Sequence, residues 1–190
     1  MSEKQQTIKK AVSISGVGLH TGKTATLTFS PAPENHGYKF QRTDLPGMPI
    51  IDADVDNVVD TSRGTTLEQN GASVHTTEHV LAALVGMEID NCLIQLDAPE
   101  MPIMDGSSAP FVELLQGAGI EKQNVERIYF ELTDNLTFED KVKNVEMLAV
   151  PQDEFRVTVM VDYNSDVLGT QHAHIYNVRE FNTEIAMCRT

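Results

Sequence analysis

No stretch of this chain approaches the roughly 18 consecutive apolar residues that a membrane-spanning helix needs. Met1 to Lys10 is polar and lacks the apolar centre of a secretory leader. Positive charge is scarce: 14 Lys and Arg stand against 28 Asp and Glu, a formal net charge of −14. That balance excludes nucleic acid and an anionic membrane surface as main partners, while leaving room for a small cationic site that holds a phosphate-bearing ligand. Cysteine is limited to Cys92 and Cys188, both in apolar or amphipathic stretches, so reduced thiols are expected rather than a bridge. These absences together read as a cytoplasmic protein. There is no low-complexity tract. With 190 residues, 41% of them hydrophobic and 22% charged, the chain has mass for one sizeable globular domain or two small ones.

Residues 7–14 alternate weakly and lead into a glycine-rich loop, Gly16-Val17-Gly18-Leu19-His20-Thr21-Gly22. In 23–30, Ala25, Leu27 and Phe29 face one way and Thr24, Thr26 and Thr28 the other, the pattern of a half-buried strand. A turn over 31–37 precedes a strand at 38–42, and 50–75 reads as short strands broken by Asp, Asn and Gly turns. A helix is expected over 77–86, with Thr76 or Thr77 as N-cap, Leu81, Leu84 and Val85 on the apolar face, and Gly86 as the stop. A buried strand at 91–97 follows, then an irregular Pro- and Gly-rich run, then a second helix at 109–118 with Pro110 in its first turn. Residues 119–126 read as a polar linker, which makes 1–126 one domain and 127–190 another. Strands of an antiparallel sheet are expected at 127–133, 145–150, 155–163 and 171–176, and a last helix from 177 towards Cys188. This order is α+β rather than a doubly wound parallel sheet. Four strands with one helix begun would leave a large apolar face uncovered, so the chain reads as cut short.

Chemistry concentrates at His75-Thr76-Thr77-Glu78-His79. A carboxylate beside an imidazole in the first turn of a helix suits a metal ligand with a neighbouring base, because a metal-bound water needs a proton acceptor. The same pair also reads as a polar turn on a scaffold without catalysis. His75-x-x-Glu78-His79 matches the inverted metallopeptidase pattern, provided Thr76 and Thr77 both lie inside the helix. No His-Glu dipeptide occurs, so the H-E-x-x-H pattern is excluded. His172 and His174, two apart on a strand, point to one face, as a chelating pair or as plain surface. His20 in the glycine loop offers anion contact, and Asp105 reads as a turn cap or an oriented carboxylate.

Several stretches acquire meaning through their order. They are the 16–22 loop, Arg42-Thr43-Asp44-Leu45, Asp60-Thr61, Thr77-Glu78-His79 with Ala82-Ala83-Leu84, Asp90-Asn91, and Ala98-Pro99-Glu100-Met101-Pro102-Ile103-Met104-Asp105-Gly106-Ser107 with Ala109-Pro110-Phe111-Val112. In this succession the chain resembles the N-terminal part of the UDP-3-O-acyl-N-acetylglucosamine deacetylases (LpxC), zinc amidases of lipid A biosynthesis. The likeness is strongest over 4–120 and returns in Arg179–Thr190. The wording of 31–42 and 50–66 is most similar to versions with a hydroxyacyl carrier-protein dehydratase fused downstream.

The resemblance implies two β-α-α-β domains whose helices lie sandwiched between sheets, the second incomplete here. It implies a zinc at their junction, with Glu78 as general base and His79 as a zinc ligand. In that chemistry zinc lowers the pKa of its water, Glu78 takes the proton, and hydroxide attacks the N-acetyl carbonyl. Thr190 would polarise the oxyanion and Asp105 would orient the site from behind. His20, the loop of Arg63, Gly64 and Thr65, and Lys143 would meet the UDP-linked acylated glucosamine. Position 75 is not a ligand position in the family. The family's other two zinc ligands come from a His-x-x-x-Asp helix. Four residues after the six His stand Thr24, Phe40, His79, Ala83, Tyr176 and Val178, none of them Asp. One His and one Glu do not hold a catalytic zinc with three protein ligands. The expectation is a segment that binds zinc weakly or not at all and lacks activity until joined to a missing C-terminal half.

Overall fold

A computed structural model describes residues 3–190. Its strands begin with Lys4–Ile8 (β1), Val12–Val17 (β2), Thr24–Pro31 (β3), Tyr38–Arg42 (β4) and Ile50–Asp52 (β5). Val58–Asp60 (β6), Thr66–Gln69 (β7) and Ala72–Val74 (β8) lead into the helix Glu78–Gly86 (α1). Cys92–Leu96 (β9), the helix Ala109–Ala118 (α2) and Ile120–Glu126 (β10) follow. The architecture is α+β. A five-stranded sheet runs β2-β3-β9-β4-β5, and its neighbours are antiparallel except β4 beside β9. Two smaller sheets are β6-β7-β8 and β1-β10. The chain divides into two compact units: residues up to Arg127 with Arg179–Thr190, and Ile128–Val178.

The first unit holds the core. The alternation along β3 buries Ala25, Leu27 and Phe29, joined by Phe40, Ile94 and Leu96 of the same sheet. Against these lie Phe111, Val112 and Leu115 of α2, with the Phe29 and Phe111 rings edge to face at 6.4 Å. The buried face of α1 is Val80, Ala83, Leu84 and Gly86, whereas Val85, expected to be inside, is 44% exposed. The small residues decide this. A Cβ at Gly86 would collide with the Phe181 ring, so the glycine forms a notch in which that ring sits. In the Arg42-Thr43-Asp44 run, the buried guanidinium donates to both Asp44 oxygens at 2.8 Å and to the Ser73 carbonyl at 2.6 Å. Its work is to join β4 to β8. Those Arg42 hydrogen bonds hold the Asp44 carboxyl below its ordinary range.

Of residues 119–126, expected as a polar linker, 120–126 form β10, which pairs antiparallel with β1. Hydrophobic alternation gives no hint of this strand, because polar bonds hold it. The buried Asn91 amide donates to Gln5 Oε1 at 2.9 Å and Gln123 Oε1 at 2.7 Å, and its oxygen accepts the Gly37 N–H at 2.8 Å. Beyond β10, Arg127 spans Asp90 (2.8 Å), Glu3 (2.9 Å) and Glu88 (3.4 Å). Arg179 meets Glu3 at 3.0 Å and Glu88 at 3.1 Å. The last helix also differs from expectation: one 3₁₀ turn, Val178–Glu180, runs into a single π turn, Phe181–Ile185.

The second unit consists of two hairpins, Leu136–Asp140 (β11) with Val145–Ala149 (β12) and Val157–Asp162 (β13) with Thr170–Ile175 (β14). The strand expected at 127–133 is irregular chain, and the four strands form two ribbons rather than one sheet. None of the described residues in this unit is buried, and Phe130 and Val142 are 90% and 96% exposed.

A Gly→Ala change in a helix ordinarily gains up to about 1 kcal/mol. At Gly86 the added methyl meets the Phe181 ring, and overpacking of this kind costs about 1–3 kcal/mol. Gly86→Ala is therefore expected to lower stability in urea unfolding. Val85→Ala, on the exposed side, is expected to shift it by less than about 0.5 kcal/mol.

Candidate active site

The site is built around the start of α1. Thr76 has φ 58°, a left-handed backbone that β-branched residues rarely adopt. The chain therefore reverses between β8 and α1, and the helix begins at Glu78. This removes His75 from the helix. His75 N–H donates to Pro99 O at 2.9 Å, its carbonyl accepts Met101 N–H at 3.2 Å, and its ring lies 3.0 Å from Thr66 Oγ1. The inverted metallopeptidase geometry, which needs His75 and His79 one helical turn apart, is not formed. Neither threonine caps the helix through its side chain. Thr77 Oγ1 lies 3.4 Å from the Thr65 carbonyl, and Thr76 Oγ1 donates to Glu100 Oε1 at 3.2 Å.

Glu78 Oε1 accepts the N–H of Thr65. That N–H belongs to the loop after β6, whose first turn is closed by Asp60 accepting from Ser62 N–H (3.1 Å) and Oγ–H (2.9 Å). A side chain at Gly64 would stand 3.6 Å from Glu78 Oε1. His20 Nε2 is 2.9 Å from the Arg63 carbonyl, and since a carbonyl only accepts, Nε2 is the protonated nitrogen. His20, Arg63, Gly64 and Thr65 thus come together beside Glu78. A cavity of about 340 Å³ opens there, lined by His20, Asp60, Arg63, His75, Thr76 and Glu100 among others.

At the next residue of α1, Thr190 Oγ1 lies 3.3 Å from His79 Nε2. Thr190 N–H donates to Gly106 O at 3.1 Å, and Arg189 Nη2 meets Asp105 Oδ2 at 3.2 Å. Asp105 Oδ1 accepts the Ser107 hydroxyl at 2.7 Å and N–H at 3.1 Å. The Ser107 hydroxyl first, then its N–H and Arg189, hold the Asp105 carboxyl below the usual range. These bonds of Asp105 reach His79 by way of the Arg189–Thr190 backbone. Lys143 lies in the second unit, at the β11–β12 turn, where its N–H donates to Asp140 Oδ1 at 3.0 Å. His172 and His174 of β14 are stacked with ring centroids 6.4 Å apart.

Sequence reasoning gave no role to Glu100, which is 1% exposed. Its Oε1 accepts His20 N–H at 2.9 Å and its Oε2 accepts Thr21 N–H at 2.7 Å. Burial opposes its charge, yet the donors from His20, Thr21 and Thr76 outweigh that penalty and leave the carboxyl below its ordinary value. The partners lie 24 to 80 residues away in sequence, and nothing local in Pro99-Glu100-Met101 signals them. Arg189, the partner of Asp105, was missed for the same reason.

Among the described residues no group of three or more His, Cys, Asp or Glu could hold a metal ion. His79 offers one imidazole nitrogen, so a zinc with three protein ligands does not fit these residues alone.

Fold and site together define an α+β protein that sets a loop-held carboxylate beside an imidazole at the start of one helix. Residues 5–190 match the family model described as UDP-3-O-acyl N-acetylglycosamine deacetylase, and the chain belongs to that family. It is 49% identical over 187 residues to the bifunctional enzyme LpxC/FabZ of Chlorobaculum tepidum, covering 98% of this chain and 40% of that protein. It is 44% identical over 187 residues to the protein of the same name from Bacteroides thetaiotaomicron, covering 98% of this chain and 41% of the relative. The UDP-3-O-acyl-N-acetylglucosamine deacetylase of Myxococcus xanthus is 42% identical over 190 residues, 100% of this chain and 60% of that protein. The chain thus spans two fifths of the bifunctional relatives and three fifths of the single-function one.

Because the folded Glu100 carboxyl titrates below its ordinary 4.5, the stability it contributes is present above that pH and lost as pH falls through the lower folded value. The stability difference between wild type and Glu100→Gln, measured by urea unfolding, is expected to shrink as the pH drops below about 4.5.

Proposed function

We propose that this chain supplies the base-bearing part of a zinc-dependent deacetylase that removes acetate from a UDP-linked 3-O-acyl-N-acetylglucosamine in lipid A biosynthesis. The observation that carries this reading is the pairing at the start of α1. The Glu78 carboxylate is held by the Thr65 N–H, and the neighbouring His79 ring meets the Thr190 hydroxyl. Membership of the deacetylase family supports it.

In this reading Glu78 takes the proton of the attacking water and later returns it to the leaving amine. A C–O bond forms at the acetyl carbonyl, and the C–N bond to the glucosamine breaks. Glu78 Oε1 is engaged by Thr65, which leaves Oε2 for the water. His79 is the zinc ligand that this chain contributes, and the remaining ligands lie outside these 190 residues. The Thr190 hydroxyl donates to the developing oxyanion. Asp105 holds that threonine's backbone through Arg189 and the Gly106 carbonyl. His20 and Arg63, Gly64 and Thr65 face the substrate, and Lys143 contacts it from the second deacetylase domain, which begins after residue 126. Cytoplasmic placement belongs to the same reading: among the described residues no helix is long and apolar enough to cross a membrane. A dehydratase fused downstream, as the names of the bifunctional relatives suggest, is part of the proposal as well.

Two measurements test it. In the longest chain the gene encodes, Glu78→Gln is expected to lower kcat for deacetylation by about 10²–10⁴-fold, the usual contribution of a positioned base. Undiminished turnover would rule out Glu78 as the base. The 190-residue chain alone should bind zinc weakly, without one-to-one tight binding in calorimetry, and His79→Ala should abolish what binding remains. Tight stoichiometric zinc in the 190-residue chain would contradict the assignment of a single ligand.

A further inference from the structure

Glu100 is the one carboxylate among the described residues that is buried. A buried charge is tolerated only when it is fully hydrogen-bonded, and the donors here belong to two segments that flank Glu78. We propose that Glu100 is a positioning residue for Glu78. Its carboxylate sets the Gly18–Thr21 turn, and the turn acts through the His20 ring and the Arg63–Thr65 loop to place the N–H that holds the base. This rests on the reading of Glu78 as the base.

The first route is continuous in hydrogen bonds. Glu100 Oε1 and Oε2 lie 2.9 and 3.2 Å from His20 N, and Oε2 accepts Thr21 N–H at 2.7 Å. Fixing the backbone at 20 aims the ring, whose Nε2–H donates to Arg63 O at 2.9 Å. Two residues on, Thr65 N–H donates to Glu78 Oε1. The second route is shorter. Thr76 Oγ1 donates to Glu100 Oε1 at 3.2 Å, which steadies the left-handed residue two before Glu78. Thr77 Oγ1, at 3.4 Å from Thr65 O, ties the two routes together. The carboxylate has room only because residue 18 is glycine: a Cβ there would stand 2.5 Å from Glu100 Oε2 and 2.7 Å from Thr21 Oγ1.

Gln at position 100 keeps the shape and removes one acceptor. Its amide nitrogen must face N–H groups that donate and cannot accept. The His20–Thr21 turn is then no longer held on both oxygens, and the effect should appear at Thr65, which Glu100 does not touch.

The test is the Thr65 amide resonance in 1H–15N spectra of the chain. In wild type it is expected downfield and protected from exchange by its charge-assisted bond to Glu78. Glu100→Gln and His20→Ala should each abolish that shift and protection. His20→Ala leaves the buried carboxylate intact and isolates the step from the His20 ring to Arg63. Should Glu100→Gln fail to fold, Glu100→Asp carries the test: it keeps the charge but shortens its reach to the His20 and Thr21 N–H groups, and should likewise shift the Thr65 amide. A Thr65 amide unchanged in the folded variants overturns the proposal. A kinetic arm uses the longest encoded chain. Glu100→Gln should lower kcat in the wild-type background and produce no further fold-loss on top of Glu78→Gln. Equal fold-loss in both backgrounds reduces Glu100 to a structural residue and also overturns the proposal. Should Glu78→Gln keep full turnover while Thr65 responds to Glu100→Gln, the link from Glu100 to Glu78 stands and the assignment of the base fails.

Discussion

A carboxylate taken out of water must recover its lost hydration from fixed donors, and around Glu100 those donors decide how three segments meet. The turn after β2, the reversal at Thr76 and the chain entering α2 all converge on one side chain that is 1% exposed. Isolated, each segment is an irregular loop with no reason to choose one conformation. Attached to a common acceptor, they hold the entrance to α1 at a defined angle, and the Glu78 and His79 side chains inherit that angle. The rigidity of the site therefore comes from a buried polar contact, while the apolar core supplies the platform beneath it.

The second constraint docks the end of the chain against α1. Residues 179–190 make no strand pairing among the described elements. They are held by Phe181 in the Gly86 notch, by Arg179 on Glu3 and Glu88, by Arg189 on Asp105 and by the Thr190 N–H on Gly106. The surface ion pairs among these contribute little individually, whereas the buried ring in its notch contributes most of the docking energy. The result is that a hydroxyl from the far end of the chain stands beside an imidazole on α1.

Acidic composition and local chemistry are separate matters in this protein. The net charge of −14 belongs to the surface as a whole, yet Arg127 and Arg179 sit together among Glu3, Glu88 and Asp90 where β1, β10 and the end of α1 meet. Composition set the overall field, and the pairing of individual groups set where the cations went.

Local pattern was enough for much of the fold. The alternation of 23–30, the apolar stretch of 92–96 and the two helices depend on periods of two and 3.6 residues, which any short window displays. The Glu78-His79 pair and the ordered motifs around it were likewise visible, because they are contiguous. Contacts between distant residues were not. β10 is a strand because its backbone pairs with β1, with Asn91 bonded to Gln123 beside it, and the polar run 119–126 carries no sign of this. His75 looked well spaced from His79 until the left-handed Thr76 took it out of the helix. Thr190 reaches His79 across 111 residues of sequence, and Glu100 reaches His20 across 80. The sequence by itself determined the α+β class, the helix that bears the Glu-His pair and the family. Only the tertiary structure decided which groups surround that pair, because hydrogen bonds between segments depend on where folding places the backbone.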